Sequence, residues 1–216
     1  MRKQKPRNVN WAETLKPLFS RYRGRQHPLD YKNRYQLIVL VILSAQSTDD
    51  RINELAPALF KAFPSVMELA NAEPEELYPY IRSVRGCMKK ANWLVSLARE
   101  IGNDERIPTT MEGLTALPGI GRKSANVIIR ESGGVAEGII TDLHVLRVAP
   151  RLGIADETHP EKCERELMKI ISPENWNDAG MAFSFLGREI CRPTDPKCGE
   201  CTLNAACAYY ASSPKV

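Results

Sequence analysis

The sequence predicts an all-α protein, and three observations carry the prediction. Apolar residues recur at helical spacing along most of the 216 residues, helix-start and helix-stop residues bracket those runs, and almost nothing alternates with the period of two that marks a strand. Taken in order, the helical runs are residues 34–50 (RYQLIVLVILSAQSTDD), 51–63, 74–84, 88–102, 111–117, 122–132, 142–153, 161–171 and 176–191. Asp142 and Pro160 stand where helices start, and Gly102, Gly134 and Gly153 stand where they end. With 43% hydrophobic residues the chain can bury a core, as one domain or as two small ones closely packed.

Composition excludes some classes of protein. No stretch reaches the roughly 20 apolar residues of a membrane span, and the opening MRKQKPRNVN has charges with no apolar run behind them. A cytoplasmic, nucleoid-associated setting is expected, with no membrane partner. Thirty Lys and Arg against 26 Asp and Glu leave a net charge of +4, which suits a polyanionic partner without demanding one. Four of the six cysteines crowd into the last 26 residues, whereas Cys87 and Cys163 stand alone and read as small hydrophobes. In a reducing compartment such a cluster points to a metal site rather than to disulfides.

Residues 117–126 read LPGIGRKSAN, a tight turn with two glycines directly ahead of a helix. Glycines allow close backbone approach, and the N–H groups of Gly119, Ile120 and Gly121 are expected to face outward at the positive end of the helix. That arrangement cradles a phosphate. It lacks the preceding strand and the third glycine of a dinucleotide site, so a phosphodiester backbone is the better fit. Lys123 falls in the first turn, where the helix field disfavours a cation. Together with partial burial, that field is expected to lower its pKa and free a fraction of the amine for attack on an electrophilic sugar carbon.

An apolar stretch, 135–140, then delivers Asp142 to a helix start. Capping is the common task for an aspartate there, yet a carboxylate held by backbone N–H groups keeps its charge and can stabilise cation character at a sugar C1′. His144 reads as a packed helical histidine. Cys191, Cys198, Cys201 and Cys207 form C-x6-C-x2-C-x5-C, four thiolates from one short loop. Either tetrahedral zinc or a [4Fe–4S] cube fits that donor set, and the single C-x2-C knuckle leans modestly toward the cube.

LPGIGRKSANVII followed by ITDLHVLR, together with LSAQSTD at 43–49 and the cysteine tail, resembles the endonuclease III family of helix-hairpin-helix DNA glycosylase/AP lyases. The match runs from about residue 15 to 210 with its pieces in order. The resemblance implies a two-lobed fold with a DNA cleft between a six-helix domain, 27–135, and an iron–sulfur domain built from 1–26 and 136–216. It also implies a [4Fe–4S] cluster on the four cysteines, Lys123 as Schiff-base nucleophile, and Asp142 facing it across the cleft to assist base departure. Gln46 is then expected to enter the gap left by a flipped-out nucleotide. The implied partner is double-stranded DNA carrying damaged bases, chiefly oxidised pyrimidines, or abasic sites, bound by a monomer.

Two positions depart from the family. Gly86 falls near the place of a bulky apolar residue that wedges into the opposite strand, so Arg85 or Met88 is expected to substitute. Leu143 follows Asp142 where threonine is common. The rival readings are a monofunctional relative removing uracil, alkylated bases or mispaired adenine, which would lack the hairpin lysine, and a non-enzymatic module using the hairpin as a phosphate clamp.

Overall fold

The computed structural model describes residues 9–212, and among them there are helices and connecting turns but no strand. In chain order the α-helices are α1 (Trp11–Thr14), α2 (Lys16–Tyr22), α3 (Arg34–Ser44), α4 (Asp49–Ala62), α5 (Val66–Asn71), α6 (Pro74–Ile81), α7 (Cys87–Ile101), α8 (Met111–Ala116), α9 (Arg122–Glu131), α10 (Val145–Leu152), α11 (Pro160–Ile170), α12 (Trp176–Glu189) and α13 (Ala208–Ser212). They fall into two compact units: Gln26–Val135, and the described parts of Met1–Arg25 with Ala136–Val216. Residues 1–8, part of the expected 1–26 segment and of the opening read for a leader, lie outside the described residues, as do 213–216. No helix among the described residues is long and apolar enough to cross a membrane.

The Gln26–Val135 unit is organised by α3. Its residues Leu37 to Leu43 are all buried, the signature of a helix apolar on every side, and α4, α7 and α9 pack around it. Asn33 starts this helix, its Oδ1 accepting from the Gln36 N–H at 2.9 Å. The continuous run expected over 34–50 is interrupted at residues 45–48, where the chain turns before α4. At the end of α9, Gly133 (φ 79°) takes the left-handed position and the Gly134 N–H returns to Ile129 O at 2.9 Å.

In the other unit α12 is the buried helix, with Ala179 to Gly187 all inside and α2 and α10 packed on it. Tyr22 of α2 stacks on Phe185 at 5.6 Å between ring centroids, and its hydroxyl donates to Glu189 at 2.9 Å. A Cβ on Gly180 would sit 2.4 Å from Ile140 O, and one on Gly187 2.8 Å from His144 Cβ. These two bare positions let the segment around Asp142 lie directly on α12. Helices α1, α2, α5 and α13, each of four to seven residues, are not among the runs that the sequence pattern marks.

Candidate functional site

The hairpin links α8 to α9. Leu117 and Ile120 are buried and anchor it, while Gly119 adopts φ 81° with its α-carbon face against the Trp93 indole, where a Cβ would approach to 2.9 Å. Only glycine fits both demands. Gly121 is exposed, with nothing within 4 Å of where a Cβ would be. The cradle is smaller than expected, because the Ile120 N–H turns inward to Leu117 O at 3.3 Å and is spent there. For the N–H groups of Gly119 and Gly121 no acceptor is found among the described residues.

Lys123 stands in the first turn of α9, as the sequence predicts, but its side chain is exposed, so the expected partial burial is absent. Its field reaches a charged neighbourhood: His27 is held below its ordinary range chiefly by burial, opposed by Glu131 and Asp49 and reinforced by Lys123 and Arg130. Sequence reading missed His27, which lies outside every quoted motif.

Gln46 is exposed in the turn between α3 and α4 and has φ 60°, one of two non-glycine residues in the left-handed region among those described. Gln46 directly follows the C-cap Ala45, the position where helices commonly end in the left-handed conformation and where glycine is the usual residue. Arg85 and Met88 are exposed on either side of Gly86 (φ 70°), with Met88 62% accessible, so both can reach outward from the start of α7.

Asp142 lies three residues ahead of α10, and its Oδ1 accepts from the N–H groups of His144 (2.8 Å) and Val145 (2.9 Å). The expected cap is thus present, although the helix itself begins at Val145. Oδ2 accepts from the hydroxyl of Ser184 at 2.6 Å. Ser184 is buried on α12 between Gly180 and Gly187, at the i, i+4, i+7 positions of one helix face. Three donors therefore fix both oxygens of a half-buried carboxylate. His144 packs as expected, its Nδ1 accepting from the Arg147 guanidinium at 3.1 Å, since arginine can only donate.

Cys191, Cys198, Cys201 and Cys207 all line one small cavity, together with Val148, Leu152, Leu186 and Ile190. None of the four is in a disulfide. Among the described residues no three His, Cys, Asp or Glu side chains converge tightly enough for a single ion. A zinc site needs thiolates converging on one atom, whereas a cube offers each thiolate its own iron. Four thiols lining one cavity are a donor set that either a zinc ion or a [4Fe–4S] cube could take. Burial pushes the thiols of Cys201 and Cys207 up, a cost that ligation by a metal reverses. Two arginines of α10 hold the loop: Arg147 donates to the carbonyls of Cys191 (3.0 Å) and Gly187 (2.8 Å), and Arg151 to those of Arg192 (2.7 Å) and Pro193 (3.0 Å). Arg151 also lies over the Tyr209 ring.

An all-helical fold, a glycine hairpin carrying a lysine and a cysteine-lined cavity together delimit a narrow class. Residues 39–173 match the HhH-GPD superfamily of base excision DNA repair proteins. Endonuclease III of Synechocystis sp. is 37% identical over 215 residues, covering 99% of this chain and 98% of that protein. That of Rickettsia felis is 35% identical over 187 residues, 85% and 87% of the two chains. The solved structure of a trapped endonuclease III–DNA covalent intermediate superposes with a TM-score of 0.83 at 31% identity, over 92% of this chain and 94% of that one. A thermostable thymine-DNA glycosylase shares the fold at 20% identity, with a TM-score of 0.76. The chain belongs to the endonuclease III family of that superfamily, DNA glycosylases with AP lyase activity that act in base excision repair. Members of this family generally carry a [4Fe–4S] cluster.

Proposed function

We propose that this enzyme excises oxidised pyrimidines from double-stranded DNA and then nicks the strand, with Lys123 as nucleophile and Asp142 as the carboxylate that assists base departure. The observation that carries the reading is the placement of Lys123: exposed, in the first turn of α9, directly after Gly119 and Gly121 with their unspent N–H groups. The two glycines bind a phosphate of the damaged strand, and the lysine stands beside it. The Lys123 amine forms a bond to C1′ as the base–sugar bond breaks and the base leaves with a proton. Cleavage of C1′–O4′, with a proton passing to O4′, opens this adduct to an iminium, and loss of a C2′ proton from it expels the 3′ phosphate, which is the strand cut. Asp142, held by His144, Val145 and Ser184, supplies negative charge opposite the developing cation. Gln46 fills the gap left by the flipped nucleotide, and Arg85 or Met88 opens the opposite strand. The four cysteines hold a [4Fe–4S] cluster whose contribution is structural, tying a loop poor in apolar residues to α10 and α12. The enzyme works as a monomer in the cytoplasm, at the nucleoid.

Lys123→Ala is expected to keep binding to damaged duplex and to lose borohydride trapping entirely. Trapping that survives in this variant would remove Lys123 from the chemistry. Asp142→Asn can still cap α10 but carries no charge, so single-turnover excision should slow by about 10²–10³ with the melting temperature nearly unchanged. A rate equal to wild type would leave Asp142 as scaffold. Purified protein should contain about four irons and four sulfides per chain; stoichiometric zinc without iron in anaerobic preparations would overturn the cluster reading.

A further inference from the structure

Lys90 is the one buried lysine among the described residues, 5% accessible, and the chemistry above does not use it. It makes no ion pair with a carboxylate there. Its ammonium donates instead to two main-chain carbonyls, Leu43 O at 2.8 Å and Ala45 O at 2.5 Å. These are carbonyls at the C-terminal end of α3, which an approaching cation stabilises and which no following N–H caps at Ala45. The next residue is Gln46, in the left-handed conformation. The backbone of Lys90 closes the first turn of α7, its N–H donating to Gly86 O at 3.0 Å, between Arg85 and Met88. One residue therefore grips both the turn bearing Gln46 and the loop bearing Arg85 and Met88. A second tie runs in the same direction: Arg51 of α4 donates to Ser83 O at 3.3 Å.

We propose that Lys90 is a positioning residue for duplex invasion, locking the Gln46 turn and the Arg85–Met88 loop into one rigid body so that both enter the base stack at a fixed spacing. The inference rests on the reading of Gln46, Arg85 and Met88 given above. Desolvating an ammonium costs stability, and burial does hold the Lys90 pKa down. An apolar residue would satisfy packing at lower cost but would leave the two carbonyls free to turn away, taking Gln46 with them. Invasion matters only where there is a stack to invade. A single-stranded abasic site offers C1′ to Lys123 without any base to replace or strand to part.

The test compares two substrates across Lys90→Met, Lys90→Arg and Arg51→Ala. Single-turnover excision is measured on a duplex with one oxidised pyrimidine, and borohydride cross-linking on a single-stranded oligonucleotide with one abasic site. Lys90→Met is expected to lose about tenfold or more on the duplex while its single-strand cross-linking stays within about twofold, because charged hydrogen bonds are lost only from the positioning of the two loops. Lys90→Arg, which keeps the cation and its donors, should recover most of the duplex rate. Equal losses on both substrates, or no loss on the duplex, overturn the proposal. Should Lys90→Met fail to fold, Arg51→Ala decides, since Arg51 is exposed: a duplex-selective loss of about threefold supports the proposal, and an unchanged duplex rate overturns it. Absence of cross-linking by the wild type would instead sink the lyase reading, so the two failures are distinct.

Discussion

The hairpin at 117–123 and the cysteine loop at 191–207 are both short irregular segments, yet they are held in opposite ways. The hairpin is seated by apolar contact: Leu117 and Ile120 are buried, and Gly119 rests on Trp93. The loop buries little between its cysteines apart from Leu203, and donors from elsewhere hold its main chain, with Arg147 and Arg151 taking the carbonyls of Cys191, Arg192 and Pro193. The difference sets a hairpin with a firm apolar base and two N–H groups left over against a loop whose main chain is held by two charged donors. The first should fail gradually when packing is damaged, the second all at once when a ligand is removed.

The largest effect is expected at the loop. On the proposed cluster reading, Cys201→Ala removes one of four ligands, and the yield of soluble, iron-loaded protein should fall to near zero. Soluble Cys201→Ala protein with full iron content, measured by metal analysis, would break the contrast. Next comes the hairpin seat. Gly119→Ala adds a Cβ at φ 81° against the indole, a cost of about 2–4 kcal/mol, and the melting temperature should fall by roughly 5–10 °C while iron content stays full. Simultaneous loss of iron in that variant would show that the two segments are not independently held. The smallest structural effect is at Gly121, where nothing stands within 4 Å. Gly121→Ala should melt within about 1 °C of wild type, and Gly121→Asp should melt similarly but bind undamaged duplex about tenfold more weakly at low salt. Equal DNA affinity for Gly121→Asp and Gly121→Ala, by titration across salt concentrations, would remove the phosphate from the hairpin.

Much of the site was legible in the chain because its signals are local. The glycine spacing before Lys123, the aspartate ahead of an apolar helix and the C-x6-C-x2-C-x5-C run each lie within a few turns of backbone. Where local reasoning depended on solvent exposure it failed. Lys123 is exposed rather than half-buried, and the Ile120 N–H, expected to face a phosphate, bonds to Leu117. Exposure depends on which distant elements cover a residue, and no spacing rule encodes that. Gln46 is an intermediate case. The LSAQSTD motif marked it by family resemblance, but its left-handed backbone at the end of α3 shows only in the fold.

By itself the sequence determined the all-helical class, the helix-hairpin-helix with its lysine, the capping aspartate and the four-thiol loop, because helical periodicity, turn chemistry and ligand spacing are properties of neighbouring residues. Only the tertiary structure decided that Ser184, 42 positions away, completes the hold on Asp142, that Lys90 spends its charge on the end of α3, and that Arg147 and Arg151 grip the cysteine loop. Lys90 and the two arginines act on main-chain carbonyls, which every residue carries alike, and Ser184 acts through a hydroxyl common to any serine. Which of them becomes a partner is fixed by packing across the fold, not by any pattern along the chain.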